Sequence, residues 1–293
     1  MSTLPHLHPS SPNQESVPAS FPEMLKSALF RRNKAAAISK PFKIFYNEWF
    51  ATLADTILPQ LRRALSSVST SQTLLSAQVD AMHHHLRSYY DNMDLAAVQD
   101  VAQCLYPEWR NSIEKPFLWL GDLHPYLFTN LLRSFLDDQE SEDGDVLDTI
   151  QEIRASRQFV DQRWHVAVAW SSPSKALTTR VDQIECGLRL MVPALAARSR
   201  DAQMKLARSV GAELGRRDGV KAAVGEALAV EMEELVGVVV DANRLRKSVL
   251  ADILTVTSTY QAALFLEALA EFLVGFRDDK LLKEFDKCKM GSS

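Results

Sequence analysis

The sequence predicts an all-α fold, an antiparallel multi-helix bundle behind a disordered N-terminal tail, and three observations carry that expectation. Only 10 Gly occur in 293 residues, while Ala, Leu, Glu, Arg and Gln fill long unbroken stretches, a composition that favours helix. Apolar residues recur at three- and four-residue intervals over most of the chain. No N-G or D-G pair lies between two alternating apolar runs, so no β-hairpin is expected.

The tail comes first. "MSTLPHLHPSSPNQESVPASFP" holds five Pro and five Ser, too little apolar surface for a core, and reads as disordered. Residues 23 to 39 could form a short basic helix. The boundary is set at 1–40 for tail and basic segment and 41–285 for the helical domain. Pro41 opens a helix whose apolar stripe is Phe42, Phe45, Trp49, Leu53, Ile57 and Leu61. Ser71 is placed to cap a second helix, with Leu74 or Leu75, Val79, Met82, Leu86 and Tyr89 or Tyr90 on one face. A shorter helix follows through Val98, Val101 and Leu105. Pro107, Pro116 and Pro125 then divide the chain into short pieces.

Beyond an acidic linker, residues 146 to 170 read as a helix with Ile150, Ile153, Phe159, Val160 and Trp164. Leu177, Val181, Ile184, Leu188, Met191 and Leu195 repeat at four, three, four, three and four residues, the pattern of helix against helix, with a kink expected at Pro193. That stripe could close the core or a homodimer. "GRRDG" at 215 to 219 reads as a turn. Leu228, Met232, Leu235, Val239, Ala242, Val249 and Ile253 mark a further long helix, and a last one runs from Gln261 to about Phe285.

A net charge of -4 exerts no global pull on nucleic acid or anionic lipid, so an electrostatic partner must be met by a local patch. Two patches stand out. Residues 24 to 43 carry Lys26, Arg31, Arg32, Lys34, Lys40 and Lys43 with no acid, interleaved with Phe30 and Phe42, whereas Asp137 to Asp148 carry seven acids and no base. The basic segment is a candidate contact for a partner or an anionic membrane surface, each Lys or Arg adding about 1 kcal/mol. The plainer reading is a lead into the first core helix. Cys104, Cys186 and Cys288 are too few and too far apart for a disulfide framework or a metal knuckle. No apolar run reaches the length of a membrane span, and the first 22 residues lack the apolar core of a signal peptide. A cytosolic or nuclear location is expected.

Phosphate loops, dinucleotide loops, zinc-protease helices and nucleophile elbows are all missing, and no enzyme is expected. Ser172-Pro173-Ser174-Lys175 fits S-x-x-K without the accompanying motifs. His83, His84 and His85 diverge by about 100° per residue on a helix, so they cannot share a metal. The expectation is one buried, hydrogen-bonded His and two solvated ones. The carboxylates at 94 to 100 and at 231 to 234 read as solvated helix faces.

Several motifs converge on one family. "FYNEWF", "HLRSYYDNM", "DVAQCLYPEWRNSIEKPFLWLGDLHPYLFTNLL" and "DANRLRKSVLADILTVTSTYQAALFLEALAEF" resemble the plant seed-dormancy domain shared by the Delay of Germination proteins and the C-terminal halves of TGA-type leucine-zipper transcription factors. The resemblance implies that Trp49, His85, Tyr89, Tyr90, Trp109, Glu114, Phe117, Trp119, Gly121, Pro125 and Gln261 are signature residues, mainly structural. Residues 114 to 136 are most similar to the branch acting in pollen aperture formation. That branch implies a non-enzymatic adaptor in the cytoplasm, recruited to the plasma membrane, which marks aperture domains with protein partners and prevents exine deposition there. The alternative is a nuclear regulator of the dormancy or transcription-cofactor type that binds a ligand or a phosphatase. Haem is not expected, because the last histidine is His165 and Leu273 and Arg277 stand where family members carry the ligands. Direct nucleic-acid binding is not expected either, since no basic zipper precedes the domain. The aromatics of 114 to 136 are expected to be core, with Gly121 permitting a turn and Pro125 starting a helix.

Overall fold

Phe42, Tyr46, Trp49, Phe50 and Leu53 lie at helical intervals and are buried, which fixes the first helix, α1 (Phe42–Thr52), against the core. The computed structural model describes residues 42–66, 71–137, 168–214 and 220–290. Among these, nine α-helices and one two-stranded hairpin make up the fold. The basic segment up to Lys40, the acidic run after Asp137, most of the 146–170 helix and the turn at 215–219 lie outside the described residues.

A π-turn over Leu53–Ile57 joins α1 to α2 (Leu58–Ser66), with the Leu58 N–H donating to Leu53 O. Pro59 follows at once and has no N–H to give, so the ladder is loosened where a helical bond would be lost anyway. The extra residue shifts the register. Leu58, Leu61 and Ala64 are buried, while Ile57, expected in the core stripe, is half-buried.

Ser71 caps α3 (Gln72–Gln99), its Oγ accepting from Leu74 N at 3.2 Å. Leu75, Val79, Met82, Leu86, both Tyr89 and Tyr90, and Met93 are buried along it, and Leu74 points outward. Val98 belongs to this helix and not to the next, contrary to expectation. The break falls at Asp100, whose extended backbone ends α3 and whose carboxylate accepts from Ala102 N at 3.0 Å to start α4 (Val101–Leu105).

No hairpin is expected from the sequence, yet β1 (Leu118–Trp119) pairs antiparallel with β2 (Asp122–Leu123). The turn is Leu120-Gly121, both at positive φ (46° and 95°). Asparagine or aspartate usually takes the first of these positions, which explains the missed signal. A Cβ on Gly121 would lie 2.5 Å from Met93 Cε and 2.9 Å from Cys104 O. Pro125 then leads into α5 (Tyr126–Asp137).

The remaining helices are α6 (Lys175–Leu214), α7 (Val220–Val256), α8 (Thr259–Gly275) and α9 (Asp279–Met290). Ser174 Oγ accepts from Leu177 N at 3.1 Å, so the S-x-x-K match is a helix start. Leu177, Val181, Ile184, Leu188 and Leu195 of α6 are buried against α7 and α5, but Met191 is 44% exposed. Pro193 lies within α6 without interrupting it. Ser258 and Gln261 form a capping box on α8, and Gln261 Nε2 also donates to Ala169 O at 2.9 Å. The expected single helix from Gln261 to Phe285 is two: Asp278 Oδ1 accepts from Lys280 N (2.8 Å) and Leu281 N (2.9 Å), starting α9 anew.

Gly121→Ala should cost about 2 to 5 kcal/mol, combining left-handed backbone strain with overpacking against Met93. Urea unfolding checks this, with Gly275→Ala as the contrast, since a Cβ there meets nothing within 4 Å.

Candidate functional site

The segment between α4 and α5 passes over the α1–α3 pair and brings a charge into the core. Arg110 is 3% exposed, as are its neighbours Glu114 and Asp122 to a similar degree. Arg110 Nη2 donates to Asp122 Oδ1 at 2.9 Å and to Tyr89 Oη, and Nη1 donates to Tyr46 Oη at 3.1 Å and Glu114 Oε2 at 3.5 Å. Tyr46 Oη donates to Glu114 Oε1 (3.3 Å), and Tyr89 Oη donates to Asp122 Oδ1 (3.2 Å). Asn111 Nδ2 links Glu114 Oε1 (3.2 Å) to Phe276 O (2.8 Å) beyond the end of α8. A buried charge is tolerable only with its partners in place, and here one cation serves two carboxylates through two phenols.

A second arginine reads the hairpin. Arg246 of α7 is fully buried. Its Nε donates to Leu123 O at 2.7 Å, Nη2 to Asp122 O at 3.1 Å and to Trp119 O, and Nη1 to Asn243 Oδ1 at 2.8 Å. Asn243 in turn donates to Asp94 Oδ1 (2.7 Å), which with Asp91 receives Lys247 Nζ. Asp94 is thus an interhelical tie and Glu231 is buried, which corrects the solvated reading for these two, whereas Asp100 and Glu233 are exposed as expected and Glu234, bonded to Arg198 at 3.0 Å, keeps a side chain 42% exposed.

Burial holds these groups in their neutral or paired states. It pushes the Tyr46 phenol up to about 12, against the pull of Arg110, and Tyr89 and Tyr90 well above the usual phenol value. The Cys104 thiol is raised to about 12, by burial first and then by Asp100. A cavity of about 20 Å³, lined by Tyr46, Trp49, Tyr89, Tyr90, Arg110 and Asp122 among others, has room for about one water. Among the described residues the cavity beside these carboxylates is too small for a substrate. The arrangement is a structural tie.

The signature residues fall in and around this cluster. Trp49, Tyr89, Tyr90, Glu114, Gly121 and Pro125 are buried, and His85, Trp109, Phe117, Trp119 and Gln261 are half-buried. The expectation of one buried, bonded His and two solvated ones is met in part: His84 is exposed and His83 half-buried, and the half-buried His85 ring stacks on Trp49 at 4.9 Å with Nε2 3.0 Å from Trp49 O, while Trp49 Nε1 donates to His85 O at 2.9 Å. Of the aromatics in 114–136, only Phe128 is fully buried; Phe117, Trp119, Tyr126 and Phe135 are half-exposed. His124 stacks on Tyr126 at 5.3 Å and meets Trp119 at a tilt, with centroids 5.2 Å apart. Of the basic segment only Lys43 is described, and it is exposed. Among the described residues no group of three or more His, Cys, Asp and Glu converges on a metal position. At the positions considered for haem, Leu273 is core and Arg277 covers the Phe50 ring at 4.1 Å while donating to Asn47 Oδ1 at 2.9 Å, so the donor set does not fit an iron.

Sequence periodicity missed Arg110, Asp122, Tyr46 and Arg246, because it tracks apolar residues. The one local signal was the Arg110–Glu114 spacing of four residues.

Arg110→Met leaves two carboxylates buried without their cation and should cost about 3 to 5 kcal/mol. The triple variant with Glu114→Gln and Asp122→Asn should lose less than that single change, measured by urea unfolding. The raised pKa values set an alkaline limit. The stabilisation is complete below the ordinary values of 9.0 for the thiol and 10.0 for the phenol and is lost as pH rises toward about 12. Raising one phenol pKa by about two corresponds to roughly 3 kcal/mol, so melting temperature measured from pH 8 to 11 should fall above pH 9, and less steeply in Tyr46→Phe.

The family model described as seed dormancy control matches residues 57–134, which run from the π-turn through α5. The chain is 45% identical over 273 residues to Protein INAPERTURATE POLLEN1 of Arabidopsis thaliana, covering 88% of this chain and 97% of that protein. It is 34% identical over 261 residues to Protein INAPERTURATE POLLEN 1 homolog of Oryza sativa subsp. japonica, covering 87% and 92%. Protein ZW2 of Arabidopsis thaliana is 23% identical over 243 residues, covering 82% and 96%. With this extent of identity along nearly the whole of those relatives, the chain belongs to the seed-dormancy-control family that includes the INAPERTURATE POLLEN proteins.

Proposed function

We propose that this protein acts in pollen aperture formation as a non-enzymatic adaptor, marking plasma-membrane domains where exine deposition is prevented. The observation that carries the reading is the 45% identity along 97% of Arabidopsis INAPERTURATE POLLEN1. The site chemistry is compatible with it: the polar groups of the core are spent on holding segments together, and the cavity beside them admits no substrate. No single described helix is long and apolar enough to cross a membrane, so the reading has the protein recruited to the cytoplasmic face by protein partners and by the basic residues Lys26 to Lys43. Lipid contact through that segment would weaken with salt and with charge reversal.

A fluorescent fusion expressed in developing microspores of a plant lacking the native protein tests this. Lines or spots at the cell periphery with restored apertures are expected, and substituting Lys26, Arg31, Arg32, Lys34, Lys40 and Lys43 by Glu should disperse the signal. A purely nuclear signal without rescue would overturn the reading in favour of a nuclear regulator.

A further inference from the structure

Arg62, Arg63 and Ser66 share the last turns of α2, and Ser66 closes that helix. Of all the chain's serines and threonines, Ser66 alone has an arginine three residues before it, and Arg62 adds a second one position earlier. An arginine at that distance is what arginine-directed protein kinases grip, pairing its guanidinium with carboxylates of their own cleft. Ser66 is exposed, as are both arginines. Its hydroxyl donates to Arg62 O at 2.8 Å, and Arg63 Nε donates to Pro59 O at 3.2 Å. The same turn carries a tie across the fold. Arg62 Nε donates to Glu267 Oε1 of α8 at 3.2 Å, and Nη2 donates to Glu271 Oε1. Glu267 is 6% exposed. Burial first and Glu271 second push its carboxyl pKa up, while Arg62 pulls it back. The cation one turn from Ser66 is therefore the one that keeps a buried carboxylate of α8 charged and bonded.

We propose that Ser66 is a phosphorylation site for an arginine-directed protein kinase, and that its phosphate draws Arg62 away from Glu267 and Glu271, loosening the end of α2 from α8. The γ-phosphoryl group of ATP passes to Ser66 Oγ. Its bond to the β,γ-bridging oxygen breaks, the Oγ–P bond forms, the hydroxyl proton goes to the kinase's base and ADP leaves. Three consequences act in one direction. The ester oxygen can no longer donate to Arg62 O. The phosphate brings a charge of about −1.5 to −2 to a helix C-terminus, whose unpaired carbonyls are already negative. It also stands one turn from Arg62 and three residues from Arg63, within reach of both guanidiniums. The competing hold is weak on one side, since Glu271 is 50% exposed and an exposed pair contributes little. Glu267 then stays buried without its cation, which is the costlier state.

The test incubates the full chain with ATP and an activated calmodulin-dependent protein kinase II, whose minimal target is Arg-x-x-Ser, and maps the product by mass spectrometry. Phosphate on Ser66 is expected. In Ser66→Ala that phosphate is lost, and the melting temperature should stay at the unmodified value. Hydrogen exchange at residues 62–66 should be about 10-fold or more faster in the phosphorylated chain, and its melting temperature should fall by about 2 to 4 °C. Arg62→Gln removes the tie without the phosphate and leaves Arg63 for the kinase. Its melting temperature should already be lowered, and phosphorylation should lower it by less than about 1 °C more, because both changes break the same contact. A chain left unmodified overturns the proposal, as does one phosphorylated elsewhere and not on Ser66. So does a phosphorylated chain whose melting temperature is unchanged. Equal falls in the wild-type chain and in Arg62→Gln overturn it too and assign the effect to fraying of α2 alone.

Discussion

A guanidinium without access to water needs acceptors around it, and the middle of this protein is arranged to supply them to both terminal nitrogens of Arg110. Its acceptors come from four places: Tyr46 of α1, Tyr89 of α3, Glu114 one turn downstream and Asp122 of the hairpin. Removing any one leaves a charge or a phenol unpaired in low dielectric, a penalty larger than the worth of a single hydrogen bond. The cluster therefore defines how α1, α3 and the 107–125 segment meet. Arg246 performs the same service from the opposite side for main-chain carbonyls, which a two-residue strand cannot pair on both edges. Between them the two arginines hold a hairpin too short to be stable alone, with Leu120 in a backbone region that a branched, bulky residue rarely enters.

The helices were legible because each buries one stripe, and apolar spacing reports that directly. Ser71 as a cap, Tyr89 and Tyr90 as core, and Gly121 and Pro125 as turn and helix start all follow from local rules. The failures have local causes as well. The π-turn ahead of Pro59 inserts a residue into the period, so a stripe extrapolated from Trp49 and Leu53 arrives at Ile57 instead of Leu58. Asp278 restarts a helix within a stretch whose apolar content continues across it. The hairpin uses Leu where Asn or Asp would have announced it. The polar core was invisible for a different reason: Arg110, Asp122, Glu114 and Arg246 are separated by up to 136 positions, and no period relates residues whose only link is a shared low-dielectric space.

Function was legible through motifs, and the geometry explains what those motifs encode. "FYNEWF", "HLRSYYDNM" and "YPEWRNSIEKPFLWLGD" contain Tyr46, Trp49, His85, Tyr89, Arg110, Glu114 and Asp122. The stretches that carry the family likeness are those that build the buried ties. They specify a scaffold. On outward faces, such as the half-exposed Trp119, His124 and Tyr126, a side chain can change without disturbing the interior.

Asn111 holds the carbonyl of Phe276, 165 residues away, in the same grip as Glu114. During synthesis on the ribosome that carbonyl appears 165 residues after Asn111, and Arg246 appears 123 residues after Leu123. Until then, Asn111 Nδ2 waits without its second acceptor and the three carbonyls of the hairpin without their donor. Closing such distant contacts is slow, and a nascent chain shorter than about 280 residues exposes a half-finished polar core. The polar core is complete only once Phe276 has been made, so a chain cut before it would be a target for quality control.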